Sequence, residues 1–165
     1  MGTPEFVLNL RSCIGQDTLW LISATAVVLR GPPSSAEVLL MRRSDSGEWC
    51  PISGIVEPGE SPDVTARREA LEETGVDVEV GHLAWVCPTP LIVHTNGDRA
   101  LYLDHTFACR FSRGQAAASD DETLDAAWFP IHALPPMMPI LRQRIEVVVA
   151  GGNETLVGPL ELDGL

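Results

Sequence analysis

The sequence predicts a single α/β domain built on a mixed β-sheet. Apolar segments rich in β-branched residues recur along the chain and are bounded by Gly and Pro turns. Two other segments carry helix start signals and are interleaved with these strands. The length of 165 residues is that of one domain, and 45% apolar against 21% charged residues is an ordinary globular composition.

The first two strands are predicted to form a hairpin. Leu19–Arg30 is rich in Leu, Ile and Val and ends at the Gly-Pro-Pro-Ser-Ser turn of residues 31–35. Glu37–Arg43 is then the return strand. A polar turn over residues 44–48 and a short extended piece over residues 51–56 follow it.

After these strands the pattern of apolar residues changes to that of a helix, which is predicted over Pro62–Thr74. Ser61 occupies the N-cap position, and Gly75 follows the helix where a left-handed residue is common. Val64 and Leu71 lie seven residues apart, so we expect them to dock the helix on the sheet.

The second half returns to strands and ends in another helix. Residues 76–94 are β-prone, Asn96 and Gly97 mark a hairpin turn, and residues 100–111 form the returning strand. The remaining elements are a small-residue loop, a short strand and an amphipathic helix, over residues 114–119, 124–130 and 139–149.

The charge balance excludes some classes of partner. The chain has a net charge of -12, with 11 basic residues, all of them Arg, against 23 acidic ones. Nonspecific binding to a nucleic-acid polymer is therefore disfavoured. No apolar run reaches the roughly 18 residues that a membrane-spanning helix needs.

Cysteine and histidine spacing shows no metal motif and no disulfide framework. The four cysteines are widely spaced and predict buried free thiols in a cytoplasmic protein. These are Cys13, Cys50, Cys87 and Cys109. The histidines lack metal-binding spacing and are interpreted as structural; they are His82, His94, His105 and His132.

The predicted helix at Pro62–Thr74 concentrates acidic residues on one side. Glu69, Glu72 and Glu73 stand at i, i+3 and i+4, so all three carboxylates project from one face. Glu60 precedes the helix and can join them. Carboxylate oxygens are the ligands that Mg²⁺ and Mn²⁺ prefer. This pattern alone is also compatible with a solvated acidic helix face.

The wider pattern resembles the signature of a known family. Gly54, five residues, Glu60, seven residues and then the run REALEETGV from Arg68 fill every defining position of the Nudix box. The chain is therefore similar to Nudix (MutT-like) hydrolases. One departure is Ser53, where many members carry a first glycine, and it bears on loop geometry near the metal.

The resemblance implies a fold and a metal site. The family fold is an α/β/α sandwich in which the box forms a loop, a helix and a loop that bind Mg²⁺ or Mn²⁺. Arg68 would orient the carboxylates. The metal ligands that the resemblance implies are Glu69, Glu72 and Glu73, with Glu60 as an auxiliary ligand and the Gly54 carbonyl as a further one.

The resemblance also implies a reaction, which is hydrolysis of a nucleoside diphosphate linked to another group. A general base must take a proton from the attacking water. Glu69 is one candidate. Glu122, six residues before Trp128, resembles a loop glutamate that serves as ligand or base in several members, and it is ranked above Asp120, Asp121 and Asp104.

Substrate contacts are expected beside the box. Arg42 and Arg43 end the second strand, where a guanidinium can bind phosphate, and Trp49 is close enough to flank the cleft. Solvent exposure of the arginines and core packing of the tryptophan are the alternatives. Trp20, Trp85 and Tyr102 are further candidates for stacking on a nucleobase.

The substrate class stays open between two choices. Sequence marks of the dinucleoside polyphosphate, coenzyme A and NADH pyrophosphatases are absent. ADP-ribose or another sugar nucleotide is one choice, and a normal or oxidised (deoxy)nucleoside triphosphate is the other. A catalytically silent Nudix domain that acts as a nucleotide sensor or interaction module is the alternative function, while a diphosphate isomerase resembles the chain poorly.

Two expectations concern organisation. Residues 1–6 (MGTPEF) resemble a remnant of an expression vector, which leaves residues 7–165 as one domain. A homodimer formed through the apolar segment around Trp20 is a hypothesis.

Overall fold

The structure is a computed structural model that describes residues 3–119 and 121–160. It has the predicted α/β class and a mixed sheet, with nine strands, three α-helices and a 3-10 turn at Pro33–Ser35 in the described residues. In chain order the elements are α1 (Glu5–Ile14), β1 (Leu19–Arg30), β2 (Glu37–Arg43), β3 (Trp49–Cys50), β4 (Ile52–Ile55), α2 (Pro62–Thr74), β5 (Val76–Pro88), β6 (Ile92–Val93), β7 (Arg99–Gly114), β8 (Thr123–Pro130), α3 (Pro139–Ala150) and β9 (Leu156–Val157).

The sheet is centred on β1 and β7. Its main path runs β3-β2-β1-β7-β5-β9, while β4 pairs with β1, β6 with β7 and β8 with β2. Strands β1 and β7 are parallel, in register from Leu19 opposite Ala100 to Leu29 opposite Arg110. The β5 and β7 pair is antiparallel, so the sheet is mixed as predicted.

Helix α2 covers one face of the sheet through small side chains. Ala66 and Ala70 are buried in one cluster with Ala24 and Ala26 of β1. Because these side chains are short, the helix approaches the strand closely. The glutamates of the helix are thereby brought next to β4, which lies beside β1.

The predicted docking of α2 through its larger apolar residues is wrong. Val64 and Leu71 are 52% and 50% exposed. The buried side of the helix instead carries alanines, threonines and two glutamates. The prediction chose the wrong face of the helix because it relied on the larger apolar side chains. The face that packs on the sheet carries the small side chains of Ala66 and Ala70.

Helices α1 and α3 cover the opposite face of the sheet. Successive side chains of β1 point to alternate faces, so those not directed at α2 pack on these two helices. Leu21 of β1 packs with Val7 of α1, and Val27 of β1 packs with Ile145 of α3. Two helix layers therefore enclose the sheet, as the α/β/α resemblance implied. None of the helices in the described residues is long and apolar enough to cross a bilayer.

Helix α1 was not predicted from the sequence. It begins at Glu5, inside the segment interpreted as a vector remnant, and Phe6 packs beside Val7. Arg11 fastens the helix by donating hydrogen bonds to the carbonyls of Asp17 and Arg99. Met1 and Gly2 lie outside the described residues, and the division at residue 6 stays a prediction.

Other predicted elements agree closely with the structure. The bounds of β1, β2 and α2 are those expected, and Gly75 is left-handed with φ 68°. Asn96 and Gly97 lie in the turn between β6 and β7. Three of the cysteines are buried free thiols, whereas Cys13 is exposed, which corrects the expectation for that residue.

Candidate metal and nucleotide site

The candidate site begins where β4 passes under α2. A side chain at Gly54 would occupy the space that the carboxyl group of Glu69 fills. Glu69 is only 8% exposed, so its carboxylate is confined between the helix and the strand. A larger residue here would have to displace that carboxylate, so the glycine matters for this close approach and not for an unusual backbone angle.

Arg68 gathers three of the box carboxylates. Its Nε and Nη2 donate to the two oxygens of Glu60 at 2.9 and 3.0 Å. Its Nη1 donates to Glu69 at 2.7 Å and to Glu72 at 3.0 Å. Thr65 adds a hydrogen bond of 2.6 Å to Glu60. Three carboxylates share one guanidinium, so the cluster has an excess of negative charge.

The pKa values of Glu60 and Glu69 are shifted in opposite directions. Hydrogen bonds from Arg68 lower the pKa of Glu60 to about 2. Burial raises the pKa of Glu69, and the neighbouring Arg68 opposes that rise only in part. Glu69 therefore binds a proton more readily than an ordinary glutamate does.

The structure also brings Glu73 and Glu122 to this region. Glu73 is 4% exposed, and its charge adds to the rise in the pKa of Arg43, which the hydrogen bond to Asp45 dominates and burial opposes. Glu122 is exposed, and its charge adds to the upward shift of the Glu69 pKa that burial dominates. The Ser44 N–H donates to the Glu122 carbonyl at 2.8 Å, which ties this loop to the β2–β3 turn.

The two arginines predicted to bind substrate differ in their partners. Arg43 forms a bidentate pair with Asp45 at 2.9 and 2.6 Å, a partner that the sequence analysis missed. Arg42 donates its Nε to the Gly47 carbonyl at 2.9 Å. Trp49 lies opposite Arg42 in the β2–β3 pair. Arg42 and Trp49 are therefore brought together, on the sheet face opposite Arg43.

Other sequence candidates lie elsewhere. Trp85 and Tyr102 are buried, so neither offers an open face for stacking, while Trp20 is exposed on the side away from α1. Asp121 is exposed in the turn before β8. Asp120 lies outside the described residues.

Asp104 is buried on the face opposite α2 and contacts no box residue among its hydrogen-bond partners. Ser23 and Thr25 donate to its Oδ1, each at 2.8 Å, and Thr106 donates to its Oδ2 at 2.9 Å. Arg144 of α3 pairs with the same Oδ2. This carboxylate is fully engaged in joining α3 to the sheet, which removes it as a candidate base.

The box residues have the donor chemistry of a hard divalent cation site. All candidate donors are oxygens, and negative charge is in excess. Within residues 3–119 and 121–160, no three His, Cys, Asp or Glu side chains form a ready metal cluster. Three of the carboxylates bond to Arg68 instead. The residue types therefore fit a divalent ion. Binding it would require the carboxylates that now bond to Arg68 to turn towards the ion.

Comparison with known proteins decides the family. The model of the NUDIX domain matches residues 20–148, a range that contains the whole box. The chain belongs to the Nudix family. It is 32% identical over 123 residues to the NAD-capped RNA hydrolase NudC of Pseudomonas fluorescens strain Pf-5, which covers 69% of this chain and 40% of that protein. The chain thus spans about two fifths of the length of this curated Nudix relative.

Solved structures show the same Nudix fold. A UDP-X diphosphatase superposes with a TM-score of 0.67 at 22% identity, covering 96% of this chain and 76% of that one. An ADP-ribose pyrophosphatase from Streptococcus suis 89-1591 superposes with a TM-score of 0.64 at 20% identity, covering 83% and 98%. At these identities the likeness concerns the fold alone.

Proposed function

We propose that this Nudix chain hydrolyses the pyrophosphate linkage of a nucleoside diphosphate derivative with the help of Mg²⁺ or Mn²⁺. The observation that supports it best is the excess of carboxylates around Arg68, confined against the glycine of the box. A purely structural cluster would gain nothing from that excess, because unbalanced buried charge destabilises the fold.

The residues that would hold the ion are those of the box. They are Glu69, Glu72 and Glu73, with Glu60 and the Gly54 carbonyl as further ligands. When bound, the ion neutralises the diphosphate and makes an attacking water more acidic. Arg68 positions the carboxylates, since its fork bonds Glu60, Glu69 and Glu72 together.

Two carboxylates are candidates for the general base. Burial raises the pKa of Glu69, which favours this carboxylate as a proton acceptor. Glu122 approaches the same region on the loop before β8. Arg43, which pairs with Asp45 and lies near the charge of Glu73, would contact a phosphate of the substrate.

The substrate is a small nucleotide derivative. ADP-ribose, another sugar nucleotide and a (deoxy)nucleoside triphosphate remain the proposed classes. The curated relatives are named for NAD-capped RNA, so NAD and an NAD-capped RNA belong in the same test although the sequence marks of NADH pyrophosphatases are absent.

The experiment is a turnover panel over these compounds with Mg²⁺, with Mn²⁺ and with EDTA, reading phosphate released through a coupled phosphatase. We expect metal-dependent turnover that Glu73→Gln abolishes and Glu79→Gln, an exposed carboxylate on β5, leaves unchanged. Nucleotide binding without turnover under either metal would favour the silent sensor. Unchanged turnover in Glu73→Gln would remove the site assignment.

A further inference from the structure

The turn between β2 and β3 carries an ion pair that the sequence did not predict. Arg43 donates through Nε and Nη2 to the two carboxylate oxygens of Asp45, at 2.9 and 2.6 Å. Two backbone hydrogen bonds hold the turn, from the Arg43 N–H to the Glu48 carbonyl and from the Gly47 N–H to the Arg43 carbonyl. The two paired side chains are 40% and 37% exposed, so a ligand from solvent can reach them.

This pair lies at the edge of the carboxylate site. The register of β2 against β8 shifts at Arg43, which pairs with Thr123. Thr123 directly follows Glu122 in the chain. Ser44, the residue between the two partners of the ion pair, donates its N–H to the Glu122 carbonyl at 2.8 Å. The β2–β3 turn and the loop of Glu122 are therefore joined directly, and such a register shift is common beside active sites.

Asp45 occupies the hydrogen-bond donors that a phosphate would use. A guanidinium binds a carboxylate or a phosphate through the same pair of parallel N–H groups. On Arg43 these groups are Nε–H and Nη2–H, and both donate to Asp45. This bonding is the main cause of the raised pKa of Arg43, and the charge of Glu73 adds to the rise, so the guanidinium also lies near the box. A phosphate that binds these donors must displace Asp45.

Glu48 provides a comparison within the same turn. It is exposed and carries the same charge as Asp45, but its carboxylate forms no ion pair with the residues that the structure describes. The bond that it accepts from Arg43 involves the backbone alone. Both acids repel an anion through space. Only Asp45 also competes with that anion for a pair of donors.

We propose that Asp45 is an internal competitor of the substrate, which occupies Arg43 in the free chain and yields this arginine to the diphosphate group. The inference rests on the proposed function and deepens it, because it identifies a residue that sets the affinity for phosphate without contacting the substrate. Such competition weakens binding of the substrate and of the transition state equally, so it raises KM without lowering kcat.

The test is a double-mutant cycle that measures equilibrium binding of inorganic pyrophosphate. Titrations followed by phosphorus NMR in EDTA at low salt exclude a bound metal and limit screening. Asp45→Asn keeps the shape of the side chain and should tighten binding about threefold to fivefold, the factor that an exposed ion pair contributes. Glu48→Gln removes the same charge from the same turn and should change binding less than about twofold. In an Arg43→Gln background, Asp45→Asn should have no effect.

Equal tightening by Asp45→Asn and Glu48→Gln overturns the proposal, since repulsion alone would explain it. Tightening by Asp45→Asn that persists in the Arg43→Gln background also overturns it, as does a failure of pyrophosphate to bind the Asp45→Asn protein. Kinetics give a second readout, in which Asp45→Asn lowers KM by the factor seen in binding with no matching change in kcat. Because the cycle needs no turnover, loss of turnover across the substrate panel with the cycle intact would count against hydrolysis alone.

Discussion

Charged clusters lie on both faces of the central sheet, and they are built differently. Beside α2, Glu60, Glu69 and Glu72 share the single guanidinium of Arg68. Beneath α3, Asp104 pairs with Arg144 and accepts three hydroxyl hydrogen bonds. The first cluster is unbalanced and half-open, whereas the second is balanced and buried.

The unbalanced cluster at Arg68 is suited to bind a cation, whereas the balanced pair of Asp104 and Arg144 joins α3 to the sheet. A buried pair in which every charge is matched contributes to the fold only while both partners are present. An excess of carboxylates contributes nothing to the fold by itself and becomes favourable when a cation binds. The two clusters should therefore respond to mutation in opposite ways.

The largest expected effect is on stability, at the balanced cluster. Asp104→Asn leaves Arg144 buried without its counter-charge, so we expect a loss of about 3–5 kcal/mol in the free energy of unfolding. Urea unfolding followed by tryptophan fluorescence measures it. Turnover per folded molecule should not change, and a drop in the turnover number would show that this cluster acts on the site.

A matched double variant checks the cause. Asp104→Leu combined with Arg144→Met removes both charges and keeps bulk in the space. It should recover a large part of the lost stability, because no uncompensated charge remains. If the double variant is as unstable as Asp104→Asn, packing and not charge explains the loss.

At the unbalanced cluster the expected effect is on catalysis. Glu69→Gln should reduce turnover at least about a hundredfold, because a metal-bound carboxylate contributes several kcal/mol to the transition state. Its stability in EDTA should stay equal to that of the unaltered chain or rise, since the change removes a buried carboxylate whose pKa burial already raises. A strongly destabilised Glu69→Gln protein would contradict the contrast between the clusters.

Metal addition should stabilise through the same cluster. At a concentration one hundred times its Kd, Mg²⁺ should add about 2.7 kcal/mol to the free energy of unfolding. The rise in Tm over an EDTA sample measures this by scanning fluorimetry. Glu69→Gln should show little of the rise, and Asp104→Asn should show all of it. An equal rise in every variant would indicate nonspecific binding to this acidic chain.

The smallest effect belongs to a third pair, which is exposed. The hydrogen bond from Arg43 lowers the pKa of Asp45 to about 2, below its ordinary value of 3.8. The pair is therefore fully stabilising above pH 3.8 and is lost as the pH falls towards 2. Asp45→Asn should cost about 1 kcal/mol or less at pH 6, and urea titrations should show that difference vanishing near pH 2.

Much of the fold was predictable because local signals dominate it. The turn residues at 31–35 and Gly75 delimit β1, β2 and α2, and the structure has those bounds. The parallel pairing of β1 with β7 was not predictable in this way, because it depends on contacts between distant segments and leaves no local mark. Helix α1 was missed because its first residues were interpreted as a vector remnant.

At the site, spacing predicted which glutamates converge and did not predict how they are held. Arg68 does join the carboxylates, as the box implied. The burial of Glu69 and Glu73 against the sheet was not predicted, since the larger Val64 and Leu71 indicated the opposite face. Met137 and Met138 lie near Trp49 only in the folded chain, so no local sequence pattern predicts that they meet.

The pairing of β1 with β7 has a consequence for synthesis of the chain. Ser23 and Asp104, which bond across these strands, are 81 positions apart, and the whole box lies between them. During translation the box emerges first, yet the strand that completes the centre of the sheet arrives only with residues 99–114. Closing so long a loop slows folding and exposes apolar strands in the meantime. The centre of the sheet under the box is therefore completed only after most of the chain has left the ribosome.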